Sequence, residues 1–135
     1  MPALDRCHPI VERALQKEGW RVSSPGRFST DERDIYIDIL ASRQQNGTAQ
    51  QLLLVEVKCF LEGLNVTQEL YTALGQYLVY RAMLKLLQNN TPLYLAIPRT
   101  IFEQLDAAIM DAIADNKIKV IVVDFEVEAI TRWIK

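Results

Sequence analysis

The sequence predicts an α/β domain in which a mixed sheet is covered by helices. Two observations carry this. Apolar residues recur with a period of 3.6 at the start of the chain and again after Gly63. Between and beyond those stretches lie short runs rich in Ile, Val and Leu, bounded by turn residues, which read as strands. The 135 residues suffice for one domain with a sizeable core and are too few for two ordinary ones, so a single domain is expected over 1–135.

From about Asp5 to Glu18, the residues Ile10, Val11, Ala14 and Leu15 recur at helical spacing, and Gly19 is a natural stop. Trp20 to Val22 is a short strand candidate, ended by the turn signal "SSPG". "RDIYIDIL" alternates, with Ile35, Ile37 and Ile39 on one face and Tyr36, Asp38 and Leu40 on the other. A polar stretch centred on Asn46-Gly47 is a hairpin signal, and "QLLLVEVKCF" is the return strand. Asn65 to Asn90 forms a long helix with Asn65 as N-cap, a core stripe of Leu70, Leu74, Tyr77 and Leu84, and Pro92 beyond its end. Leu93 to Ile97 is a buried strand. Thr100 with Glu103 forms a capping box that opens a helix running to about Asp115. "KIKVIVVDF" and "VEAITRWI" are two further strands, which completes the order α-β-β-β-α-β-α-β-β.

Composition narrows the function classes. Half the residues are hydrophobic and 24% are charged, a normal globular balance. No apolar run approaches the roughly 18 residues that span a bilayer, and the first twenty residues lack the charged-then-apolar layout of a signal peptide. A soluble, cytoplasmic chain with no membrane partner is expected. A lone disulfide between Cys7 and Cys59 is not expected in such a chain, and one His with two Cys is too small a set for zinc. With 15 basic and 17 acidic residues the net charge is −2, so any nucleic-acid affinity must come from a local patch or a partner.

The chemistry-bearing residues sit in the return strand, where Glu56 and Lys58 interrupt "LLLVEVKCF". Period-2 geometry puts both on one face, roughly 6–7 Å apart. A two-residue hairpin loop would set Asp38 opposite Val55; a loop one residue longer sets it opposite Glu56, with Ile35, Ile37 and Ile39 opposite the aliphatic positions. The second register collects the charge on one open face and is preferred. Two carboxylates then lie within about 5–6 Å as cross-strand neighbours. A divalent hard cation relieves their repulsion, and Lys58 beside them could orient a water or neutralise charge on a phosphate. The plain alternative is a solvated sheet face with a cross-strand ion pair. Gln76 and Tyr80, at i and i+4, share one helical face, as site residues or as a polar shoulder beside the core stripe. Glu12 lies on the first helix, which must pack on this sheet; otherwise it is an exposed helix glutamate.

With these residues in order, the chain resembles the PD-(D/E)XK nuclease superfamily. Asp38 matches its first acid, Glu56-Val57-Lys58 its E-x-K, and Gln76 with Tyr80 the Q-x-x-x-Y of the RecB-like branch; Ile37 stands where proline is common. The resemblance implies a restriction-endonuclease-like αβββαβ core, with an extra C-terminal helix and two strands. It also implies Mg²⁺ or Mn²⁺ held by Asp38, Glu56 and the Val57 carbonyl, with Glu12 as a further candidate by position. Asp38, Glu56, Lys58, Gln76 and Tyr80 would form the catalytic set.

The chain is more closely similar to the XisH family, the cyanobacterial fdxN element excision controlling factors. The resemblance rests on Met1-Pro2-Ala3, Asp5, His8, Val11, Ala14-Leu15, Lys17 and Gly19-Trp20. It continues through "IYID", "VEVK", "ALGQYLVYRA" and "LYLAIP". It implies an accessory role, beside a site-specific recombinase, in removing a DNA element during heterocyst development, with DNA and an XisI-like companion as partners. The alternative functions are a catalytically silent nuclease-fold module that regulates the recombinase or pairs with the companion, and a nuclease restrained within a toxin–antitoxin-like or defence pair. His8, one turn from Glu12, is either a structural residue or linked to the metal. Cys59 is expected to be a small buried apolar residue. Arg81 reaches a phosphate or forms an outward ion pair. Trp133 lies in the core or, with the end of the last strand, at a homodimer contact.

Overall fold

The structure is a computed structural model that describes residues 4–23, 25–45, 47, 49–60 and 65–135. Helix α1 (Leu4–Lys17) is followed by β1 (Arg21–Ser23), β2 (Gly26–Ser29), β3 (Asp34–Ile37), β4 (Ile39–Gln45) and β5 (Ala49–Val57). Then come α2 (Val66–Leu86), β6 (Leu93–Pro98), α3 (Arg99–Phe102), α4 (Ala107–Asp115), β7 (Lys119–Asp124) and β8 (Ala129–Ile134). Six strands form one sheet in the order β1-β4-β5-β6-β7-β8, and β2 pairs with β3 separately. The β5–β6 and β6–β7 pairs are parallel and the remaining pairs antiparallel, so the sheet is mixed as the sequence predicts.

Helices cover both faces, and the core is accordingly split in two. On one face, Val11, Ala14 and Leu15 of α1 pack against Ile39, Ala41, Leu53, Val55 and Val57. On the other, Ala73, Tyr77 and Leu84 of α2 and Ile113 of α4 pack against Ile37, Leu54, Leu95 and Val120. Every residue of β6 is buried, as a strand covered on both faces requires. Gly19, at φ +89, ends α1 by letting the Trp20 N–H reach the Leu15 carbonyl at 3.1 Å. The Asn65 side chain accepts from the Gln68 N–H and caps α2. Among the described residues no helix is long and apolar enough to cross a membrane.

Several expectations are corrected. "RDIYIDIL" is not one strand: it breaks at Asp38, so Ile35 and Ile37 face α2 while Ile39 faces α1. The break gives the Asp38 carboxylate and N–H to side-chain and backbone partners instead of the ladder. Of "SSPG", Ser24 lies outside the described residues, Ser23 ends β1 and Gly26 begins β2. A Cβ at Gly26 would meet Phe28 at 2.9 Å and Leu54 at 3.3 Å. The expected helix from Thr100 to Asp115 is two helices. Thr100 lies inside α3 and Glu103 is its C-cap, so the capping box does not form. Asp106 restarts the helix by accepting from the Ile109 N–H at 2.9 Å.

The cysteines are corrected as well. Cys7 and Cys59 form a disulfide, with Cα atoms 5.7 Å apart and a sequence separation of 52. Cys59 follows the Val55 and Val57 side chains toward the α1 face, where Cys7 is buried. Trp133 joins the core: its ring lies edge-on to Tyr94 at 5.3 Å and 6.3 Å from Trp20. Its Nε1–H donates to Glu18.

Candidate functional site

The β4–β5 register is the preferred one. Ile39 pairs with Val55 and Gln45 with Ala49, leaving a three-residue loop in which Gly47 has φ +83. Asn46 and Thr48 lie outside the described residues, as does Gly63. Continued by one residue, this register sets Asp38 level with Glu56.

The two acids are interlocked there. The Val57 N–H donates to Asp38 Oδ2 at 2.8 Å, and the Asp38 N–H donates to Glu56 Oε1 at 3.3 Å. Glu56 is only 9% exposed and is the one buried charged residue among those described. The expectation of an open charged face is therefore corrected: α2 covers this side of the sheet, and the acid sits under cover. Burial, reinforced by the negative charge of Asp38, pushes the Glu56 carboxyl up to about 8, against a smaller opposing pull from Lys58.

Lys58 follows the end of β5, and its N–H donates to the Ala96 carbonyl at 3.0 Å. Its Nζ lies 3.6 Å from Glu69 Oε1 in the first turn of α2, and both side chains are largely covered. Sequence reasoning missed Glu69; the available signal was an acid one turn into a helix that begins just after the E-x-K strand. Gln76 Nε2 donates to the Tyr80 hydroxyl at 2.9 Å, the i, i+4 stack that the spacing predicts. Glu69, Gln76 and Tyr80 recur at helical spacing and line one side of α2.

Other candidates have different company. His8 Nε2 lies 3.8 Å from Glu12 Oε2 on α1. Arg81 makes no ion pair among the described residues; its guanidinium donates to the carbonyls of Asn116 and Lys117 at 2.8 and 3.1 Å. A cavity of about 200 Å³ opens beyond the C-terminal ends of the three parallel strands. Cys59 and Phe60, which follow Lys58, form part of its wall, with Arg99, Thr100 and Asp124 opposite. In open α/β sheets this end of the strands is where ligands bind.

Residues 1–131 match the family described as XisH protein. The chain belongs to the XisH family. Two solved structures agree with this membership. One is a fdxN element excision controlling factor protein from Anabaena variabilis, 36% identical, with a TM-score of 0.84 over 97% of this chain and 99% of that one. The other is an XisH family protein from Nostoc punctiforme PCC 73102, 36% identical, with a TM-score of 0.82 over 96% of this chain and 98% of that one. Among curated proteins none matches the chain. The matched residues include both interlocked acids: "IYID" ends at the strand break, and "VEVK" spans the end of β5.

Proposed function

We propose that this XisH-family chain is an accessory factor in excision of a DNA element, with a Mg²⁺- or Mn²⁺-dependent endonuclease-like site on a PD-(D/E)XK core. The single observation that carries the reading is Glu56, a covered carboxyl raised to about 8 beside Asp38 and Lys58. A strand interior holds such an acid at a cost, and a bound cation offsets that cost by stabilising its ionised form. The biological setting comes from the Anabaena variabilis neighbour, which is named as an excision controlling factor.

The residues fit a hard divalent cation. Asp38 Oδ2 and Glu56 Oε1 are engaged in the interlock and the two carboxyls also hydrogen-bond each other, a contact that a cation would replace. Among the described residues no third His, Cys, Asp or Glu joins them, so the set would be completed by the Val57 carbonyl, waters and phosphate oxygens. Glu12 is not among them: it lies on α1, over the other face of the sheet, 3.8 Å from His8. Bound there, the cation would supply Lewis acidity and a lowered pKa for a ligated water. Lys58 contributes a positive charge for the scissile phosphate. Gln76, its amide oriented by Tyr80, is the group along α2 that holds the substrate or water in place.

A second reading has its own support. Lys58 already has a carboxylate partner in Glu69, and the chain is net acidic. In this reading the fold is a silent module that regulates a site-specific recombinase or pairs with an XisI-like companion. One experiment separates the two. Purified protein is incubated with supercoiled, linear and single-stranded DNA in Mg²⁺ or Mn²⁺. Cleavage that disappears in folded Asp38→Ala and Lys58→Ala variants supports the enzyme; an inert wild-type protein in both metals leaves the silent module.

A further inference from the structure

At the opposite end of the sheet from Lys58, the last turns of α2 meet the start of β7 around a cleft of about 210 Å³. Its wall carries Arg81, Lys85, Lys117 and Lys119, with the polar groups of Asn89 and Thr91, and contains no acidic residue. The chain as a whole is net acidic, so this is a local segregation of charge. None of these four cations has a carboxylate within salt-bridge distance among the described residues. Four unneutralised positive charges around one concavity repel one another, and an anion relieves that repulsion.

The cleft is also prearranged. The Arg81 guanidinium is fixed by two carbonyls at the end of α4 and lies 5.5 Å from the centre of the Tyr77 ring. Lys117 is held in the left-handed region at φ +52, its carbonyl bound by Arg81. Lys119 lies 6.0 Å from the centre of the Tyr94 ring, and its N–H is bound by the Tyr77 hydroxyl.

We propose that this cleft binds backbone phosphates of the same DNA that reaches the Asp38–Glu56 pair. The proposal rests on the reading that the chain acts on DNA. Spacing supports a shared duplex. Leu54 pairs with Leu93 at the near end of the cleft, and Lys58 is four residues further along β5, about 13 Å at strand rise. Along α2, Glu69 to Arg81 spans about 18 Å at 1.5 Å per residue. Both correspond to the axial rise of roughly four or five base pairs at 3.4 Å each. Gln76 and Tyr80 lie between.

The test is fluorescence anisotropy of a labelled short DNA duplex in chelator, across a range of salt, with wild type and Lys85→Gln/Lys117→Asn. Both lysines are exposed, and Asn tolerates the left-handed conformation of residue 117. An unchanged melting temperature confirms the fold. The expected result is a salt slope shallower by about 1.8, at about 0.9 per phosphate, with weaker binding at every salt concentration. A slope and affinity equal to wild type overturn the proposal, as does wild-type protein that does not bind the duplex. Inorganic phosphate and a nucleoside monophosphate form the second arm; saturable binding of either without displacement of the duplex assigns the cleft to a free anion and also overturns it. Cleavage in Mg²⁺ is scored separately: a shallower slope without cleavage leaves this site standing and removes the nuclease reading.

Discussion

The backbone N–H of Asp38 donates to Oε1 of Glu56, while the Asp38 carboxylate accepts from the residue after Glu56. This interlock fixes two acids side by side under α2, and its first consequence is a pH dependence of stability. Glu56 is raised from 4.5 to about 8, so the folded state holds a proton that the unfolded chain has released. The stabilisation from neutral Glu56 is fully present below the unfolded value and is lost as pH rises to about 8. At about 1.4 kcal/mol per pH unit the loss is several kcal/mol at most. Urea unfolding in chelator should give a midpoint that falls between about pH 5 and about pH 9, and a much flatter profile for Glu56→Gln. Equal slopes for the two proteins would remove Glu56 as the titrating group.

A second consequence concerns metal uptake. A cation bound at this pair must displace the Glu56 proton at any pH below about 8. Calorimetric titration with Mg²⁺ or Mn²⁺ near neutral pH should therefore release close to one proton per ion, read from the dependence of the heat on buffer ionisation enthalpy. Asp38→Ala should lose binding, and Glu56→Gln should bind weakly without proton release. Tight binding by wild type with no proton release would place the ion elsewhere.

How much of this was legible in the sequence depends on the range of the interaction. The Asn65 cap, the Gly19 stop and the Gln76–Tyr80 stack are settled by residues within a few positions of each other, and all three form as the pattern predicts. The hairpin register was also readable, because a slip of one residue would have turned Leu53 and Val55 to the wrong face. The break at Asp38 was not readable. The alternation of Ile35, Ile37 and Ile39 is equally compatible with a continuous strand, and both faces of this sheet turn out to be apolar. The capping box at Thr100 failed for a local reason: Pro98 sits at the N-cap with no side chain to accept, and Asp106 supplies the cap that forms. The Cys7–Cys59 bond and the Lys58–Glu69 pair depend on where α1 and α2 dock, which no local spacing encodes.

The disulfide gives a third prediction. It closes 52 residues of sequence, for which chain entropy assigns about 4 kcal/mol to the cross-link. Oxidised protein should unfold at markedly higher denaturant than protein held in dithiothreitol, and Cys7→Ser should match the reduced form. Identical midpoints with and without reductant would show that the bond does not form in solution.

Two tyrosines one turn apart separate structural from site roles. The Tyr77 hydroxyl is buried, donating to the Leu93 carbonyl and accepting from the Lys119 N–H. Tyr77→Phe leaves both backbone groups without that partner and should cost about 1–3 kcal/mol in chemical unfolding. Tyr80 is only partly buried and bonds Gln76, so Tyr80→Phe should cost about 1 kcal/mol or less. A larger loss for Tyr80→Phe than for Tyr77→Phe would contradict the burial and hydrogen bonding described above.

Lys58 is placed between two sets of acids, and substitutions on either side should move Glu56 in opposite directions. Its Nζ pairs with Glu69 at 3.6 Å, while its charge also lowers the Glu56 pKa against burial and Asp38. Removing the charge of Glu69 with Glu69→Gln releases the ammonium toward the interlocked acids, so the Glu56 midpoint should fall below about 8. Lys58→Met removes the ammonium, and the midpoint should rise. Carboxyl-carbon NMR titration reads both shifts directly. In the enzyme reading the acidic limb of the cleavage profile should move to lower pH in Glu69→Gln, while Lys58→Met should abolish cleavage with the carboxylates still in place. A Glu69→Gln protein whose Glu56 midpoint and cleavage profile both match wild type would mean that the Lys58–Glu69 pair only anchors α2 to the sheet.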